Sequence, residues 1–250
     1  MVHEYVHTQQ IDPIGHNLLA FSFYEGVAEF SAEKAMDKPC PTPAIAFGKK
    51  HDEKIKQRFS EEMFSYYYDQ WLWNNTDNAF QIRDLGYYVG YAIADVYYNS
   101  HSDKKQAIKD LIEIDYTNEE EVEKFIDKLK YFPQSISELR EAYEASRPTV
   151  TSIESFENNS QKVDPRLKQI EINFSEELLP GYYSSAYGEK GESFFPKVTG
   201  INFAEDGKSA FYEVELEADR EYQFVVGPGF RTQRGIQLKP YIISFKTDAN

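Results

Sequence analysis

His3-Glu4-Tyr5-Val6-His7 sets two imidazoles four residues apart, with a carboxylate directly after the first. On a helix, positions i and i+4 project from one face, so both rings can bind one metal ion. Glu4 then points to the adjacent side, where it can take a proton from water polarised by that ion. A catalytic Zn2+ centre needs three protein ligands and keeps a fourth position open. The third ligand is expected on the next helix, where Glu25-Gly26-Val27-Ala28-Glu29-Phe30 follows His7 after seventeen intervening residues. The metal ligands are thus read as His3, His7 and Glu25. Glu29, one turn beyond Glu25, suits a carboxylate that receives the free ring N–H of a ligating histidine and fixes its tautomer. Gly26 is read as the residue that lets the zinc helix pack closely beside Glu25.

These residues need helices to position them. Asp12-Pro13 and Gly15 interrupt the first helix, and a second amphipathic run starts near Asn17. Ile55, Phe59, Met63, Tyr67 and Trp71 step by four, which predicts one long helix. Another is predicted from about Asp84 to Asn99, with Gly86 and Gly90 inside it implying close packing. Thr117 with Glu120, and Ser135 with Glu138, have the spacing of capping boxes. Cys40-Pro41-Thr42-Pro43 reads as a loop.

After Arg147-Pro148 the apolar period changes to two. Leu167, Ile170, Ile172 and Phe174 mark one strand, and Phe211, Val214 and Leu216 another. Tyr222, Phe224 and Val226 alternate, as do Ile243 and Phe245. Short strands punctuated by Gly and Pro, without intervening helices, predict a β-sandwich. The expected architecture is therefore multidomain: a mainly α-helical region over residues 1–147, then an all-β sandwich over 148–250.

Composition removes several classes of function. The chain has 250 residues, with 27 Lys+Arg against 42 Asp+Glu and a formal net charge of −15. Phosphate binding is driven by clustered Lys and Arg, so no nucleic-acid partner is expected. No apolar run is long enough to span a membrane. The lone Cys40 excludes a disulfide framework and a cysteine-based zinc site. His16, His51 and His101 read as surface residues, and Arg83 as a helix-start ion pair.

HExxH followed by EGxAE resembles the gluzincin metallopeptidases, in which the downstream Glu is the third zinc ligand. The stretch Arg83-Asp84-Leu85-Gly86-Tyr87-Tyr88-Val89-Gly90-Tyr91 resembles the GY-rich helix of predicted Zn-dependent proteases. Val163-Asp164-Pro165, Ile170-Glu171-Ile172-Asn173-Phe174-Ser175 and Ile243-Ser244-Phe245-Lys246-Thr247 resemble a bacterial Ig-like domain of exported proteins. Together the resemblances imply a zincin-type helical subdomain followed by an Ig-like sandwich in an extracytoplasmic protein. They also imply peptide-bond hydrolysis of a peptide or protein substrate, with Glu4 as general base. Gluzincins commonly add a Tyr or His that steadies the oxyanion, for which Tyr91 and Tyr87 are the candidates, four apart on one helical face.

Gluzincins normally carry a substrate-aligning sheet before the zinc helix, and His3 stands two residues from the first residue of this chain. The expectation is a fragment of a larger exported protein, with weak or no protease activity of its own. Two other readings compete with it. One is a non-catalytic protein that retains a peptidase-like helical domain and binds a glycan or a cell-surface protein through its Ig-like and aromatic surfaces. The other is a purely structural zinc site.

Overall fold

The computed structural model describes residues 2–249. Helix α1 (Val2–His7) carries both histidines. The chain then turns through Pro13 and Gly15, whose φ of +83° suits a residue without a Cβ. Asn17 opens α2 (Leu18–Met36): its side chain accepts the Ala20 amide at 3.0 Å, satisfying a donor that the first helical turn leaves free. α2 is not the one-sided amphipathic helix expected. Every residue from Leu18 to Ala28 is buried, as in a central helix enclosed by its neighbours.

α3 (Pro43–Ser60) has Pro43 in its first turn, where a missing N–H removes no helical hydrogen bond. It stops at Ser60, so the run Ile55, Phe59, Met63, Tyr67, Trp71 is not one long helix. The cause lies in α2. The Leu18 and Leu19 amides donate to the carbonyls of Ser65 and Met63 at 2.8 and 2.9 Å. A helix continued through residues 61–71 would have used those carbonyls internally. Trp71 is also drawn back, its indole donating to Glu62 at 2.8 Å.

α4 (Leu85–Ser100) meets α2 at small residues. A Cβ on Gly26 would fall 2.1 Å from the Tyr91 backbone nitrogen, and one on Gly90 would fall 1.9 Å from the Ser22 carbonyl oxygen. Gly26 therefore serves the contact of α2 with α4, not the approach of α1. α5 (Lys104–Glu113), α6 (Glu119–Leu129) and α7 (Ile136–Ser146) follow. Thr117 does not cap α6: its hydroxyl donates to Asp115, and Asn118 takes the Glu121 amide at 3.2 Å instead. Ser135 and Glu138 do cap each other, the Ser135 amide donating to the Glu138 carboxylate at 2.9 Å and the Glu138 amide to Ser135 Oγ at 3.3 Å.

The described residues divide into two units, one up to Ala145 and one from Ser146 on. The second contains β1 (Val150–Ile153), β2 (Gln169–Phe174), β3 (Ser185–Tyr187), β4 (Lys197–Phe203), β5 (Ser209–Glu215), β6 (Glu221–Val226) and β7 (Tyr241–Lys246). They form antiparallel sheets in the orders β1-β2-β5-β4 and β3-β6-β7. Alternate residues are buried along β2 (Ile170, Ile172, Phe174), β5 (Ala210, Tyr212, Val214) and β6 (Tyr222, Phe224, Val226). Phe211 and Val214 are an odd number of positions apart and so lie on opposite faces of β5. Leu167 precedes β2 rather than belonging to it.

The fold class differs from expectation. The described residues form seven α-helices and two small antiparallel sheets, 38% helix and 17% strand. This is a mixed α and β fold, not a zincin-type helical subdomain followed by an all-β Ig-like sandwich. A period of two marks individual strands but does not determine how much chain lies between them. Here irregular segments and a 3₁₀ turn at Glu192–Phe194 interrupt the strands.

Candidate metal centre

α1 is only six residues long, yet its two histidines and Glu25 of α2 bring three donor atoms together. His3 Nε2 and His7 Nε2 are 2.9 Å apart, and Glu25 Oε2 is 3.3 Å from the first and 3.2 Å from the second. Donors about 2.0–2.1 Å from one zinc ion at tetrahedral angles lie about 3.3 Å apart, close to this triangle. The donor set also fits by its chemistry. Two ring nitrogens and a carboxylate oxygen face one point, and a shared cation satisfies all three lone pairs where a single proton cannot.

The His7 tautomer is set from behind. Its Nδ1 lies 2.8 Å from Gln10 Oε1, while the Gln10 amide nitrogen donates to the Tyr24 carbonyl at 3.2 Å. With its NH₂ committed to Tyr24, Gln10 presents an acceptor to His7, so Nδ1 holds the proton and Nε2 keeps its lone pair for the centre. His3 is supported less tightly. Glu29 Oε1 lies 3.6 Å from its Nδ1, a buried nitrogen without a hydrogen-bond partner.

Glu25 is 6% exposed, so its charge needs compensation. Burial pushes its carboxyl pKa up, but hydrogen bonds and charge from His3 and His7 outweigh this and bring it down to about 2. The effect on His7 is reciprocal: burial lowers its pKa, and Glu25 together with Gln10 raises it above the ordinary range. Glu4 is exposed, and its charge adds to the upward push on the His7 pKa.

Aromatic rings flank both imidazoles. Tyr24 stacks on His7 at 4.3 Å between centroids, and Tyr87 on His3 at 6.0 Å. Burial and the facing Glu25 carboxylate push the Tyr87 phenol well above its ordinary pKa, so it stays protonated and able to donate. The Tyr91 hydroxyl goes elsewhere, donating to Glu33 Oε1 at 2.7 Å and accepting from Lys49 at 2.9 Å. The four-residue spacing puts both tyrosines on one α4 face, but one turn of helix is enough to move Tyr91 from Glu25 to Glu33. His16 faces Glu119 at 3.3 Å, and Arg83 pairs with Asp84 at 3.5 Å.

Sequence reasoning missed Gln10 and Tyr24. Gln10 lies outside α1, beyond the reach of helical periodicity. Tyr24 had one signal, its place directly before Glu25.

No family model matches the chain, and no curated protein matches it. Among solved structures, domains 1–6 of the surface layer protein SbsC match over 92% of this chain and 32% of that one, at 14% identity and a TM-score of 0.30. A crystal structure of the N-terminal part of the same bacterial S-layer protein matches over 92% of this chain and 55% of that one, at 12% identity and a TM-score of 0.29. The chain thus spans about a third of the length of the first of these structures. A likeness of this size carries nothing about activity, partners or location. No helix among the described residues is long and apolar enough to cross a membrane.

Proposed function

We infer that this chain is a zinc-binding hydrolase of the gluzincin type acting on peptide bonds. The observation that supports the reading is the convergence of His3, His7 and Glu25 donor atoms within 3.3 Å. His3, His7 and Glu25 would hold the ion. When bound, zinc supplies Lewis-acid polarisation of a carbonyl and acidification of water near neutral pH.

The chain's own residues supply the remaining chemistry. Glu4 is free in solvent to accept a proton from water and return it to the leaving amine. Tyr87, protonated and with its ring against His3, is the proposed donor to a developing oxyanion. Gln10 and Tyr24 hold the His7 ring in place. The extracytoplasmic setting implied by the sequence resemblance belongs to the same proposal.

Metal content of protein purified without added zinc, followed by hydrolysis of a peptide mixture, tests the reading. Stoichiometric zinc, lost in Glu25→Ala, is expected. Glu4→Gln should keep the zinc and lose hydrolysis. Absence of zinc in the wild type counts against the centre itself. Bound zinc with no Glu4-dependent hydrolysis points to a structural or binding role instead.

A further inference from the structure

Glu25, Glu29 and Glu33 lie at successive turns of α2, so their carboxylates form a ladder along one face of the helix. Each has different partners. Glu25 meets the two histidines, and Glu33 accepts from the Tyr91 hydroxyl at 2.7 Å. The middle carboxylate is held at both oxygens by the loop before α3. Cys40 Sγ donates to Glu29 Oε2 at 2.9 Å, and Thr42 Oγ1 donates to Glu29 Oε1 at 2.9 Å. The loop is itself fastened to the ladder, because the Cys40 backbone amide donates to Glu33 Oε2 at 2.9 Å.

These contacts connect Tyr91 and Lys49 to Glu33, Glu33 to the loop, the loop to Glu29, and Glu29 to the unpartnered Nδ1 of His3. Pro41 and Pro43 flank Thr42 and restrict the loop backbone, so the two donors are presented with little freedom to lose. With both oxygens occupied, Glu29 cannot rotate away from His3 without breaking a hydrogen bond.

We propose that Cys40 and Thr42 are positioning residues of the metal centre, holding the Glu29 carboxylate opposite His3 Nδ1 so that this nitrogen keeps its proton and His3 Nε2 keeps its lone pair as a ligand. This rests on the reading of His3, His7 and Glu25 as a zinc site. It gives the lone cysteine a role as a hydrogen-bond donor, not as a nucleophile or a ligand. It also gives Tyr91 a place at the far end of the same support, two turns of α2 away from Glu25.

The test is zinc affinity of the full chain, measured by competition with a chromophoric zinc indicator, with the Co2+ absorption spectrum as a second readout. Glu29→Gln removes the negative charge that faces His3 Nδ1 and should weaken zinc binding about 10-fold. Thr42→Val and Cys40→Ala should each weaken zinc binding several-fold and change the Co2+ spectrum. Cys40→Ser, which keeps a donor, should restore most of the affinity. Thr42→Val added to Glu29→Gln should cost nothing further, because the carboxylate it holds is already gone.

Folded Thr42→Val and Cys40→Ala chains with wild-type affinity, or full additivity with Glu29→Gln, would overturn the proposal while leaving the metal centre intact. A wild-type chain that binds no zinc removes the metal centre and the proposal together. Circular dichroism of each variant separates lost affinity from lost fold.

Discussion

His7 Nδ1 lies 2.8 Å from Gln10 Oε1, and the other end of that amide is fastened to the Tyr24 carbonyl. The orientation of the amide therefore decides which imidazole nitrogen carries the proton. Gln10→Ala leaves all three donor residues in place but releases the ring, and zinc affinity should fall about 10-fold or more. Competition titration against a zinc indicator measures it, and an unchanged affinity would show that the Tyr24 stack alone orients His7.

Metal binding should stabilise the helical unit measurably. A ligand present at a thousand times its dissociation constant adds about 4 kcal/mol. For a unit of this size that is a Tm shift on the order of 10 °C. Removing zinc with a chelator should lower the Tm of the wild type by that order and leave Glu25→Ala, already metal-free, unmoved. Equal shifts in the two would place the effect outside this centre.

The α2–α4 contact predicts a contrast between two glycines. Ala at Gly90 would push its Cβ to 1.9 Å from the Ser22 carbonyl oxygen, where only backbone can yield. Gly90→Ala should destabilise by about 3 kcal/mol or more, or prevent folding. Gly15 has no atom within 4 Å of its would-be Cβ but sits at φ +83°. Gly15→Ala should cost only about 1 kcal/mol, from the left-handed backbone. Urea unfolding of both variants measures the difference.

Tyr87→Phe keeps the ring against His3 and removes the hydroxyl. If Tyr87 donates to the developing oxyanion, the turnover number for peptide hydrolysis should drop about 100-fold. Zinc content should stay at the wild-type level. The same change at Tyr91 removes a bond to Glu33 and should have a much smaller effect on turnover.

Cys40 gives a pH prediction with a definite sign. Burial, then the Glu29 carboxylate that accepts its S–H, raise the thiol pKa from 9.0 to about 11. A raised pKa means the folded state favours the neutral thiol. That contribution to stability is fully present below pH 9 and is lost as pH rises through about 11. The thiolate is the reacting species, so at pH 8 folded Cys40 should alkylate with iodoacetamide roughly 100-fold more slowly than the same residue in urea. Comparable rates in the two states would show that the thiol is not held on Glu29.

Much of the candidate centre could be read from spacing, because i and i+4 on a helix share a face in any fold. His3 with His7, and Glu25 with Glu29, follow that rule without reference to the rest of the molecule. Helix positions were legible on the same ground, as with α4, α7 and the Ser135–Glu138 cap. Failures came where a distant segment competed for the same backbone groups. The step-by-four series through Trp71 ends at Ser60 because α2 takes the Met63 and Ser65 carbonyls.

The sequence by itself determined the donor types, their order and their helical faces, since these depend only on local geometry. Tertiary structure alone decided which tyrosine meets the histidines, that Gly26 faces α4, and that Gln10 stands behind His7 and the Cys40–Thr42 loop behind Glu29. Those outcomes depend on how helices cross and where loops return. Contacts between residues far apart in the chain leave no period in the sequence to reveal them.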